Sequence, residues 1–180
     1  MTTSSDNGRL RESAAAQVAA WAGLAGAYAA GQAMSAAAAQ RMRGDRTRSQ
    51  YERDLNRPRF APPGAAFPVV WSALNVTTAT SAWRAWRVGA GSPDSASPRA
   101  AAGWWAAAII VRSGYVPLAF GRRWLWAATA DSALLTAVMT MYAVRARRTD
   151  AAAAALALPE IAWTAFATVL SAAIARRSGR

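Results

Sequence analysis

The chain has 180 residues, 54% of them hydrophobic, with a formal net charge of +12, no histidine and no cysteine. Those two absences exclude a Ser-His-Asp triad, a histidine general base, imidazole or thiolate metal sites, disulfides and Fe–S clusters. The nine acidic residues form neither a calcium loop nor part of a P-loop, so no catalytic residue and no metal site is expected.

All 21 basic residues are arginine. They gather at the ends of apolar blocks rather than along one helix face, a pattern of membrane flanking and not of nucleic-acid binding. Residues 1–13 form a polar tail. From Ala14 to Ala39 the chain is apolar for longer than the core of a signal peptide, and it reads as a first transmembrane helix. Gly23, Ala27 and Gly31, spaced four apart, give that helix a small-residue face on which another helix can approach. Residues 40–63 form a long arginine-rich loop in which Pro58, Pro62 and Pro63 preclude a continuous helix. Further apolar blocks follow at about 64–84, 100–120, 124–144 and 151–175, and residues 176–180 form a basic tail. Each block is near the roughly 20 residues that cross a hydrocarbon core. Trp83, Trp86, Trp104, Trp105, Trp124 and Trp126 lie near block ends and read as interface anchors.

The expected fold class is therefore an all-α membrane protein, a single bundle of five transmembrane helices over residues 14–175 that satisfies its backbone polar groups internally. The loops on the N-terminal side hold eight arginines against twelve on the other side. The positive-inside bias then places the N-terminus outside and the C-terminus in the cytoplasm. The expected location is a bacterial cytoplasmic membrane.

Polar residues within the blocks mark the bundle interior. Phe67, Trp71, Asn75 and Thr78 share one face of the second block; Glu160, Trp163, Thr164, Ala167 and Ser171 share one face of the fifth. These side chains either hydrogen-bond helix to helix or line a ligand cavity. Arg112 and Asp131 lie about nine residues to either side of the turn at Gly121 and Arg122, so both fall roughly 14 Å from it, at one depth. An unpaired charge there costs at least about 2.5–3.5 kcal/mol, so the two are expected to pair. The pair either fixes helix register or holds Arg112 ready for a ligand carboxylate. Glu160, the third intramembrane charge, is expected to be neutral or to share Arg112, with a proton-relay role as a further alternative.

Three motifs add a family resemblance. Residues 55–74, LNRPRFAPPGAAFPVVWSAL, resemble the WYxxLxKPxFxPPxWxFxxVWxxLY region of the TspO/MBR (tryptophan-rich sensory protein and translocator protein) family. LPEIAWTAFATVLS in the fifth block is similar to that family's PYxxWxxFAxxLN, and PLAFG at 117–121 to its SPLFFG. The departures fall on polar and aromatic positions. The family's Trp-Tyr pair is Tyr51-Glu52 here, a tryptophan is Ala65, and a tyrosine is Asn75. An asparagine and a tryptophan of the third helix are Arg112 and Tyr115. Pro-Tyr becomes Pro159-Glu160, and a closing asparagine becomes Ser171.

The resemblance implies a membrane protein that binds, and transports or senses, tetrapyrroles in a cavity between its helices, with no resident cofactor beyond a porphyrin- or haem-like ligand. Trp71, Trp163 and Ala167 match positions that line the family's ligand site, and flat aromatic walls suit a planar macrocycle. Together the intramembrane pattern and the resemblance nominate Tyr51, Phe67, Trp71, Asn75, Arg112, Tyr115, Asp131, Glu160, Trp163 and Ala167 as ligand-binding residues. The expected partners are the lipid bilayer, a tetrapyrrole-like small molecule and, for assembly, a second copy in a homodimer. A binding protein rather than an enzyme is expected. The rivals are a small transporter coupled to ions through Arg112, Asp131 and Glu160, and a protein that degrades porphyrin in the light.

Overall fold

The computed structural model describes residues 55–89 and 96–178, together with helical positions 18, 19, 22, 23, 26 and 33 of the first apolar block. Tyr51, Ala27 and Gly31 lie outside the described residues. All regular structure among the described residues is helical: α1 (Ala66–Gly89), α2 (Ala96–Arg112), a π-helical turn (Pro117–Gly121), α3 (Leu125–Arg147) and α4 (Ala151–Ser178). By length and hydropathy α3 and α4 are long and apolar enough to cross a membrane.

These helices hold many hydroxyl side chains without exposing polar groups to lipid, because the hydroxyls turn back on their own backbone. Thr78 donates to the Leu74 carbonyl at 2.6 Å, Thr136 to Ser132 at 2.9 Å, and Thr164 to Glu160 at 2.9 Å. Each bond satisfies the hydroxyl within its own helix. α3 and α4 make the most extensive pairing, with α2 against α3 and α1 against α4.

The third block is not the continuous helix expected over 100–120. It begins earlier, at Ala96, and breaks after Arg112 into a turn at Ser113 and Gly114 before the π-helical segment. Pro117 supplies the cause. It has no N–H to offer the Ser113 carbonyl, and its ring crowds that same carbonyl one turn back. The chain recovers with wider bonds, from Arg122 N–H to Pro117 O (2.9 Å) and from Trp124 N–H to Leu118 O (2.9 Å). Arg123 closes the turn with φ of 59°, in the left-handed region.

The main core lies between α1, α2, α3 and α4 and is built largely of alanine, with Trp105, Leu135, Met139 and Tyr142 as its bulk. Alanine lets the helices approach closely, as small residues do in membrane bundles. Trp105 is therefore a core residue and not the interface anchor expected, and Trp104 packs beside it. Trp83, Trp124 and Trp126 are exposed near helix ends.

Candidate functional site

Two inward faces meet at mid-bundle. Glu160 on α4 is fully buried, and it accepts a hydrogen bond from Arg112 at the end of α2. The other terminal nitrogen of Arg112 donates to Asn75 Oδ1 on α1 at 2.6 Å. The guanidinium also lies 5.3 Å from the Trp71 ring centroid, within cation–π reach. One arginine thus ties α1, α2 and α4 together.

The expected pairing of Arg112 with Asp131 is not what forms. The helix break turns the chain directly after Arg112, and Asp131 on α3 sits opposite Gly114 instead. A Cβ at Gly114 would lie 2.7 Å from Asp131 Oδ1, so only glycine leaves that carboxylate its place. Asp131 Oδ2 is buried without a hydrogen-bond partner among the described residues. Glu160, with no exposure to solvent, is the carboxylate that takes the arginine.

Beyond this tie lies a cavity of about 470 Å³, within the range of about 300–1,000 Å³ typical of small-molecule sites. Phe67, Pro68 and Trp71 of α1 form one wall, and Tyr115, Val116, Ala119 and Phe120 of the broken segment a second. Leu125 and Ala128 of α3 and Leu170, Ser171 and Ile174 of α4 complete it. Leu55, Arg57, Ala61, Pro62 and Gly64 cover the mouth. The lining is almost wholly apolar. Its hydroxyls, Tyr115 and Ser171, bond each other at 2.9 Å.

Of the residues nominated from the sequence, Phe67, Trp71 and Tyr115 line this cavity, while Asn75, Arg112 and Glu160 form the tie behind it. Trp163 and Ala167 do not line it. Trp163 packs edge-on against Phe67 at 5.7 Å and beside Phe166 at 5.5 Å, and Phe166 meets Phe60 of the covering segment at 6.3 Å. That aromatic chain buttresses a wall and anchors the cover. The lining residues that sequence reasoning passed over, Arg57, Pro62, Ala119 and Phe120 among them, lie inside the quoted motifs LNRPRFAPP and PLAFG. Leu170 and Ile174 flank Ser171 on its own helix face.

The described helices thus form a bundle with an apolar, aromatic-walled cavity toward one end. The model of the TspO/MBR family matches residues 18–177, nearly the whole chain, and the chain belongs to that family. The family is membrane-embedded, and membership suggests a tetrapyrrole-binding or sensing membrane protein.

Proposed function

We propose that this protein spans the membrane five times, N-terminus outside and C-terminus in the cytoplasm, and binds a planar, tetrapyrrole-like amphiphile in the cavity between its helices. It acts as a binding and sensing or transport protein and not as an enzyme. The observation that carries this reading is the cavity itself: about 470 Å³, walled by Phe67, Trp71, Tyr115 and Phe120. Flat rings recover their binding energy by stacking and by burying area on such walls. Trp71 is the best-placed wall: it lines the cavity and Arg112 lies 5.3 Å from its ring centroid. A homodimer in the bilayer is compatible with this reading.

The test is a titration of purified protein in detergent with a panel of porphyrins, following tryptophan quenching. Trp71→Ala should weaken binding by about 1–3 kcal/mol, the range seen when aromatics that stack on flat rings are removed. Trp124→Ala, exposed at the turn before α3, should leave affinity unchanged. Binding unaffected by Trp71→Ala, or equally weakened by both changes, would overturn the assignment. Loss of porphyrin that requires light and oxygen, and that the protein accelerates, would replace binding with degradation. Uptake into proteoliposomes driven by a pH gradient would favour an ion-coupled transporter.

A further inference from the structure

The cavity distinguishes its two ends electrically, and that sets which way round a ligand lies. Among the described lining residues Arg57 is the only charged side chain, and it stands at the mouth, in the covering segment. It is exposed and has no carboxylate partner among the described residues. It shares the cavity lining with the Tyr115 hydroxyl of the wall.

The inner end is different. Arg112 does not line the cavity, and both of its terminal nitrogens are engaged, one by Glu160 and one by Asn75. A guanidinium neutralised by a buried carboxylate exerts little pull on a second anion. Asp131 sits against Gly114, the residue before the wall residue Tyr115. Ionised, it repels a ligand acid, and it is not among the residues that line the cavity. An acidic group therefore gains at the mouth and gains nothing at the floor.

We infer that the ligand is an amphiphile with an apolar body and its acidic groups along one edge, and that it binds with that edge at the mouth, where Arg57 meets the carboxylate. This deepens the function proposed above and rests on it. Arginine suits the task because its planar fork matches a carboxylate with two parallel hydrogen bonds.

The experiment compares a dicarboxylic porphyrin with its diester, in uncharged detergent so that no lipid phosphate competes. The wild-type protein should bind the diacid about threefold to tenfold more tightly than the diester, between the worth of an exposed ion pair and that of a charged hydrogen bond. Arg57→Gln should abolish that preference by weakening the diacid alone, and Arg57→Lys should keep part of it. Arg59→Gln, exposed in the same segment and outside the lining, should keep all of it. Equal binding of diacid and diester to the wild type overturns the inference, as does a preference that survives Arg57→Gln. Equal weakening of both ligands by Arg57→Gln also overturns it, since the residue would then be shaping the cover. If neither porphyrin binds the wild type, the reading of the cavity itself fails and takes the inference with it.

Discussion

The two ends of the bundle are built from similar residues and behave oppositely. At one end the C-terminus of α1, the N-terminus of α2 and the turn between α3 and α4 close on one another. The Ser81 hydroxyl donates to the Ala153 carbonyl at 2.5 Å and accepts from Tyr142 at 2.7 Å, joining α1, α3 and α4. Arg84 bonds Asp150 at 2.9 Å, and Gly89 lies so close to Pro98 that a Cβ would meet the proline ring at 2.6 Å. The void remaining there, beside Trp86, Pro98 and Tyr142, is about 10 Å³, near the minimum for one water. At the other end the helices stand apart around about 470 Å³. The difference teaches that an alanine-rich bundle is tight where small residues and short turns allow it, and hollow where Pro117 and Gly114 break a helix and aromatic rings prop the walls. The tie of Arg112, Asn75 and Glu160 lies between the two regimes.

Breaking that divider should have the largest effect. Glu160→Ala strands a buried guanidinium and should cost about 3–5 kcal/mol, read as a lowered midpoint of thermal denaturation in detergent. Replacing both partners, Arg112→Met with Glu160→Leu, removes the charge along with its need for a counter-ion and should recover most of the loss. If the double change is as unstable as the single one, the pair is not what holds the two halves together.

Next in size is the seal of the closed end. Gly89→Ala pushes a methyl group into Pro98 and the Thr149 methyl, and neither the ring nor a β-branched side chain gives way easily. Overpacking of this kind should cost about 1–3 kcal/mol. Porphyrin affinity at the far end should be unchanged. A change in affinity comparable to the loss of stability would show that the two ends are one cooperative unit.

A smaller effect should follow Tyr142→Phe. It removes the donor to Ser81 but leaves Ser81 its bond to Ala153, so no buried donor is orphaned. The expected loss is about 0.5–1.5 kcal/mol, again in the thermal midpoint. Ser81→Ala should cost more, since it removes both bonds and leaves the buried Tyr142 hydroxyl without its partner.

The sequence spoke unevenly about these regions. The α3 and α4 segments were legible because long apolar runs, interrupted within by Asp131 and by Pro159-Glu160, admit little else. The inward faces of α1 and α4 were legible too: Thr78, Glu160, Thr164 and Ser171 are all buried. The partner of Arg112 was not. Counting residues from a turn assumes two straight helices, and Pro117 spoils that geometry; what the count could not weigh is that Glu160, wholly buried, has the greater need of a cation. Arg57 was hidden for another reason. A basic residue in an arginine-rich loop looks like any other flanking charge until the loop is seen to cover a cavity. Trp105 shows the same limit from the opposite side, since a tryptophan near a block end enters the core when α2 starts four residues earlier than its apolar block.

The smallest expected effect is electrostatic and belongs to the closed end alone. Asp150 caps α4 by accepting from the Ala152 N–H at 2.9 Å and pairs with Arg84. Burial pushes its carboxyl up, but the bonds and charge of Arg84 and the amides of Ala152 and Ala153 outweigh that and hold it below the usual carboxylate value. In the unfolded chain the group titrates near its ordinary value of about 3.9. Between the ordinary value and the lower native one the unfolded state therefore binds more protons than the native one. The stabilisation is complete above the ordinary value and fades as pH falls through the lower native value. Arg84 is 41% exposed, so water and salt screen the pair and its worth should stay under about 1 kcal/mol. Thermal midpoints measured from neutral pH down to acid should show this loss in the wild type and less of it in Arg84→Gln, with the difference shrinking at high salt. An equal acid loss in the two proteins would show that Asp150 acts only as a helix cap and that the closed end is sealed by packing without the ion pair.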